Sequence, residues 1–164
     1  MQYLIDGHNL IPKVHGLSLS QIDDEEKLIA MLREFCRLTQ ASVDVYFDRA
    51  GSGKLETHHF GRVTAHFAPP STTADDAIIH HIRKTGKSVR NWVLVTSDNR
   101  IQVEARACHM NILPSEEFAV ILQSALDNPG YSPDEEDSLM TDIEIDAWLE
   151  IFRRGSRMGT HEKF

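Results

Sequence analysis

Tyr3-Leu4-Ile5-Asp6-Gly7 near the start and Val93-Leu94-Val95-Thr96-Ser97-Asp98 further along are the stretches that decide the fold. Each begins with an unbroken apolar triplet instead of an alternation, the pattern of a strand covered on both faces. Each then runs into polar and turn-forming residues ahead of a helical pattern. Taken to their full extents these strands span Gln2–Asp6 and Trp92–Ser97, and Val43–Asp48, Val63–Phe67 and Met110–Leu113 read as three more. Between them, Leu28, Ile29, Leu32, Phe35 and Cys36 fall at helical spacing behind an Asp23/Glu26 capping pair. Further helices are predicted over Ala74–Lys84, Asn99–Cys108 and Glu116–Leu126, the last with Ser115 as its cap. Strand and helix alternate, which predicts a three-layer α/β domain over residues 1–128 with a mainly parallel central sheet.

Arg49 to Arg62 carries three glycines, adjacent histidines and no sustained periodicity, and reads as a mobile surface loop. Beyond Asn128 the chain is punctuated by Pro129, Gly130 and Pro133, so residues 129–140 read as an acidic linker. Residues 141–164 then form an amphipathic helix and tail, with Thr141 and Glu144 as a capping box and Ile145, Trp148, Leu149 and Phe152 on one stripe. That stripe needs cover, from this domain or from a second subunit in a homodimer.

The 164 residues carry 17 Lys and Arg against 25 Asp and Glu, a net charge of −8, which provides no bulk positive field for polyanions. Most of the excess is local: residues 133–164 hold 9 acids and 4 bases, leaving 16 acids against 13 bases before them. Two cysteines, Cys36 and Cys108, give neither a disulfide framework nor a zinc ribbon, and fit reduced thiols in the cytoplasm. No apolar run is long enough for a membrane span or a secretion signal, so no membrane partner is expected.

Acids recur where predicted strands end or the next helices begin: Asp6, Asp48, Asp98 and the tandem Asp75-Asp76. In open parallel sheets ligands bind outside the carboxyl ends of the strands, so separate connections can deliver these groups to one crevice. At about 4 Å two carboxylates repel by about 1–4 kcal/mol, and a cluster of them calls for protons or a cation. A hard divalent ion, Mg²⁺ or Mn²⁺, suits oxygen ligands and phosphodiester chemistry. Setting the five acids aside leaves 11 acids against 13 bases in residues 1–132, a balance compatible with a nucleic-acid substrate. Each acid also has a structural reading. Asp75, Asp76 and Asp98 can cap or charge-stabilise helix N-termini, Asp6 can form an Asx turn, and Asp48 can start a loop.

With these pieces in place the chain resembles the NYN family, the YacP-like nucleases of the PIN-like superfamily. The matching segments are Tyr3 to Ile11 with Asp6-Gly7-His8-Asn9, Val45-Tyr46-Phe47-Asp48, Thr73-Ala74-Asp75-Asp76-Ala77-Ile78 and Val95-Thr96-Ser97-Asp98-Asn99, in the family's order over about residues 1–125. The resemblance implies a Rossmann-like PIN-type fold and a metal-dependent endoribonuclease, hydrolysing RNA with a water activated by Mg²⁺ or Mn²⁺. By position, Asp6, Asp75, Asp76 and Asp98 match the family's acidic ligands and Asp48 an acid of its YacP-like branch. Asn9 matches a polar residue that supports the first aspartate and touches substrate. Thr96, Ser97 and Asn99 are expected to hydrogen-bond water or neighbouring carboxylates, Ser97 and Asn99 also to meet substrate. One departure stands out: PIN relatives often carry an acid a few residues after the last motif, whereas here Arg100, Ile101, Gln102 and Val103 precede Glu104. Whether one ion or two would bind is left open.

Arg49, directly after Asp48, is the favoured RNA contact, followed by Lys54, Arg62 and the cluster Arg83, Lys84, Lys87 and Arg90, although such residues are usually solvated surface. His8 reads as a turn residue facing solvent, and the cysteines as small buried hydrophobes on helices. The alternative to a nuclease is a non-catalytic RNA-binding or regulatory module, whose mark would be loss of an acid; all are present. An aspartyl phosphatase would carry two acids one residue apart after the first strand, where this chain has His8 and Asn9. Within the nuclease reading, a toxin-like tRNA cleaver and a ribosome-associated enzyme both stay open.

Overall fold

The computed structural model describes residues 1–20, 23–48 and 54–127. The predicted linker, the predicted C-terminal helix and Arg49 lie outside these described residues. Strands β1 (Gln2–Asp6), β2 (Ser42–Asp48), β3 (Glu56–Phe60), β4 (Val63–Ala68), β5 (Trp92–Val95) and β6 (Asn111–Leu113) form one sheet in the order β3-β4-β2-β1-β5-β6. All neighbours are parallel except β3, which runs antiparallel to β4. The α/β expectation with a mainly parallel sheet is thus met. Among the described residues five α-helices accompany the strands: α1 (Gly7–Leu10), α2 (Asp24–Thr39), α3 (Ala74–Thr85), α4 (Asn99–Ala107) and α5 (Ser115–Asp127).

Alternation along each strand assigns the two faces. Tyr3 meets Phe35 of α2 and Phe118 of α5, with ring centroids 5.8 and 5.3 Å away, and those two phenylalanines stand 5.5 Å apart. Leu4, Tyr46 and Leu94 face the other way and pack with Ile78 and Ile82 of α3 and Ile101 and Ala105 of α4. Every one of these side chains is buried. At about 25 cal/mol per Å² of apolar surface removed from water, the two cores are the main reason the layers hold. The chain leaves β1 towards β2 through α2, and later crosses back over β1 to β5 through α3. Right-handed crossovers in opposite directions lie on opposite faces, so the carboxyl end of β1 sits where the strand order reverses.

Several local expectations need correction. The presumed loop Arg49 to Arg62 contains β3, paired to β4 in the register Thr57↔His66 and His59↔Thr64 through a tight turn with Gly61 at φ +66°. It escapes periodicity analysis because it is an edge strand with largely exposed side chains, held by backbone pairing and by His59–Thr64 (3.2 Å) and Thr57–His66 (3.1 Å) contacts. β5 ends at Val95, two residues early, and β6 starts at Asn111, not Met110. Asp23 makes no side-chain capping bond, so the capping pair with Glu26 is not formed. The neighbouring Asp24 carboxylate instead accepts from the Ser18 backbone N–H at 2.7 Å. Ser115 is the first residue of α5, and its hydroxyl turns away to Asn9. Cys36 is buried on α2 as expected, but Cys108 is only partly buried and follows α4. Among the described residues no helix is long and apolar enough to cross a membrane.

Candidate active site

The site is built on the carboxyl edge of the sheet, beginning with Asp6. As the last residue of β1 it is buried, 4% exposed, and it caps α1: its Oδ1 accepts from the Asn9 backbone N–H at 3.4 Å. Its Oδ2 accepts from the Thr96 hydroxyl at 3.2 Å, tying the end of β1 to the residue after β5. Gly7 is required next to it. A Cβ there would lie inside contact distance of the Phe47 ring and 2.8 Å from the Tyr46 carbonyl oxygen.

Asn9 organises the β5–α4 connection. Its side-chain carbonyl accepts from the Ser97 backbone N–H at 2.8 Å and from the Ser115 hydroxyl at 2.6 Å, so the acceptor holds two other elements beside β1. Asp98, the N-cap of α4, accepts from the N–H groups of Arg100 (2.8 Å) and Ile101 (3.4 Å), while the Thr96 hydroxyl accepts from the Asp98 N–H at 3.1 Å. On the other side, Asp48 ends β2 and its Oδ1 accepts from the Ala74 N–H at 2.6 Å, the first residue of α3. Thr73 caps the same helix, accepting from the Asp76 N–H at 3.2 Å. The structural and chemical readings of Asp48 and Asp98 therefore coexist in the same carboxylates. Asn99 is exposed at the start of α4.

Asp75 is the acid on which the others act. Burial raises its carboxyl above the ordinary range, and repulsion from Asp98, Asp48 and Asp76 adds to this against the pull of Arg100. Burial and then repulsion from Asp75 push Asp6 up to about 6, although the Asn9 and Thr96 hydrogen bonds oppose the shift. Among the described residues Asp75 takes part in no hydrogen bond or ion pair. Asp76 is placed differently: its carboxylate meets the Arg100 guanidinium at 2.7 Å, which holds it below the ordinary range.

Further contributors escaped sequence reasoning. His8 is half-buried, not a solvent-facing turn residue: its Nε2 lies 3.1 Å from Glu25 on α2 and its Nδ1 3.5 Å from Asp48. The Glu25 contact, then Asp48, raises its pKa. Glu116, in the first turn of α5, accepts from the Ser97 hydroxyl and pairs with Lys13 at 3.0 Å, contacts that lower it to about 2. No spacing rule reaches these residues, because helices distant in sequence deliver them. Of the remaining basic candidates, Arg62 bonds Gln40 and Arg83 bonds Glu104, both structural ties.

The family model for the YacP-like NYN domain matches residues 3–138. The chain belongs to the YacP-like NYN domain family. This is a nuclease-type domain, as the sequence motifs implied. Among solved structures, the chain is similar to Rae1 (YacP) from Bacillus subtilis, at 21% identity and a TM-score of 0.65 over 99% of both chains. A point mutant of the same Bacillus subtilis protein matches with 21% identity and a TM-score of 0.62 over 77% of both chains. These likenesses establish the Rossmann-like, PIN-type fold. No curated protein matches significantly.

A divalent ion can be tested against the donor set. As the side chains lie, no three Asp, Glu, His or Cys residues among the described ones are close enough to chelate one ion. Mg²⁺, however, keeps most of its waters and needs only one or two direct carboxylates. An Asp75 without a hydrogen bond or ion pair among the described residues and flanked by carboxylates that repel it, with Asp6 raised first by burial and then by Asp75, suits such an ion. The residues fit a hydrated hard cation better than a dry protein cage.

Proposed function

We propose that this protein is a metal-dependent endoribonuclease that hydrolyses RNA phosphodiester bonds at the carboxyl edge of the sheet, in the cytoplasm. The observation that carries the reading is the gathering of Asp6 at the end of β1, Asp48 at the end of β2 and Asp98 at the start of α4 around Asp75, which among the described residues takes part in no hydrogen bond or ion pair. A fold stabilised for its own sake would not bury Asp6 against another acid, since each pKa unit of the shift costs about 1.4 kcal/mol.

Asp6, Asp75 and Asp98 are the residues that would hold Mg²⁺ or Mn²⁺, with Asp48 beside them. When bound, the ion would neutralise the phosphodiester and make a water nucleophilic at neutral pH. The chain's own groups do the positioning. Thr96 orients Asp6, Asn9 fixes the backbone that presents Ser97 and Asp98, and Asp48 holds the start of α3, the turn that carries Asp75. Ser97, Asn99 and Arg49 are the proposed substrate contacts. Neither cysteine is needed, and burial pushes the Cys36 thiol up to about 11, far from a nucleophile's range.

The test is cleavage of labelled single-stranded and structured RNA with Mn²⁺, with Mg²⁺ or with EDTA. Cleavage should require the metal and be lost in Asp6→Asn and Asp98→Asn. Asparagine is as good an N-cap as aspartate, so the second variant stays folded while losing its charge. Cleavage undiminished in both variants would reject the assignment, and metal-independent RNA binding without cleavage would favour the non-catalytic module.

A further inference from the structure

Arg100 occupies a position that local helix physics disfavours. It lies in the first turn of α4, where the macrodipole is positive and a cation is unfavourable. Its partner is on another helix: the guanidinium reaches Asp76 in the first turn of α3 at 2.7 Å, and Asp75 and Asp98 attract it further. From the tandem pair it selects Asp76 and leaves Asp75 without a bond. The side chains of Arg100 and Asp76 are 62% and 50% exposed, so the edge of the guanidinium turned away from Asp76 is open to a ligand from solvent. Only one guanidinium nitrogen is used, and the others have no partner among the described residues.

We infer that Arg100 is the site's built-in cation: it keeps Asp76 out of the metal-binding set, so that the remaining acids take a single divalent ion, and its free N–H groups take an oxygen of the RNA phosphate. This rests on the nuclease reading above. Guanidinium suits both roles at once, because its planar fork presents N–H groups in several directions: one nitrogen keeps Asp76 while the free ones match a phosphate oxygen.

The experiment counts Mn²⁺ bound to the full chain by electron paramagnetic resonance of the free ion, for wild type, Arg100→Ala and Arg100→Ala/Asp76→Asn. One ion is expected on wild type, a second on Arg100→Ala, and one again on the double variant. Arg83→Ala, which frees Glu104 instead, should leave the count at one. RNA binding in EDTA, followed by fluorescence anisotropy over a salt series, should lose about one unit of slope in Arg100→Ala. Arg100→Lys should keep the single ion but bind RNA more weakly, because it keeps the charge without the fork. Thermal melts verify that these exposed-site variants fold. Two ions on wild type, or one on both wild type and Arg100→Ala, would overturn this inference and leave the nuclease reading standing. No Mn²⁺ on any variant would overturn both.

Discussion

Replacing Asp6 by Asn should make the protein more stable at neutral pH. Asp6 is buried, and its carboxyl is raised from 3.8 to about 6, first by desolvation and then by Asp75. The folded state therefore holds the proton more tightly than the unfolded chain. The contribution of Asp6 to stability is therefore greatest below about pH 4, falls as pH rises through the window up to about 6, and is level above it. At about 1.4 kcal/mol per unit, ionised Asp6 costs the folded state about 3 kcal/mol at pH 7. Asn is permanently neutral and nearly isosteric. The Thr96 hydroxyl, which donates to Asp6, can turn to accept from the new amide. Imperfect replacement of the Asn9 and Thr96 bonds reduces the gain, so we expect about 1–3 kcal/mol. The assay is urea unfolding of both proteins in EDTA from about pH 4 to pH 8. The difference between them isolates Asp6 together with its coupling to Asp75. It should be near zero at the acid end and favour the variant above pH 6. A difference that does not change with pH, or a more stable wild type at pH 7, would refute the reasoning. Excess Mn²⁺ should then narrow the gap by stabilising wild type alone.

Asn9→Ala removes the acceptor shared by the Ser97 N–H and the Ser115 hydroxyl. It should cost about 1–3 kcal/mol in urea unfolding, with RNA cleavage reduced because Asp98 loses its anchored approach; a change under about 0.5 kcal/mol would remove Asn9 from this role. Gly7→Ala forces a methyl into the Phe47 ring and against the Tyr46 carbonyl. It should lower stability by about 3 kcal/mol or prevent folding, measured by thermal melting, whereas an unchanged melting temperature would mean the β1–α1 junction yields more easily than its packing implies.

How much was legible in the sequence differs by element. The central strands declared themselves because burial on both faces demands continuous apolar runs, as in Tyr3-Leu4-Ile5 and Val93-Leu94-Val95. β3 did not, because an edge strand is specified by pairing with β4 and not by its own pattern. Motif order was sufficient to suggest the family and to place Asp6, Asp48, Asp75 and Asp98 near one edge, since parallel topology carries strand ends to a common side. Which acid does what was not written there. Asp75 and Asp76 are adjacent and chemically identical, yet Asp75 is left among repelling carboxylates while Asp76 is taken by Arg100. His8 looked like a turn residue until α2 brought Glu25 to it, and Glu116 marked only the start of a helix until α5 docked beside Ser97. Composition and local pattern thus determined the layers and the set of acids, because burial and strand periodicity are properties of short segments. The partner, charge state and direction of each side chain were decided only by tertiary packing, because electrostatics and hydrogen bonding act over a few ångströms of space regardless of separation along the chain.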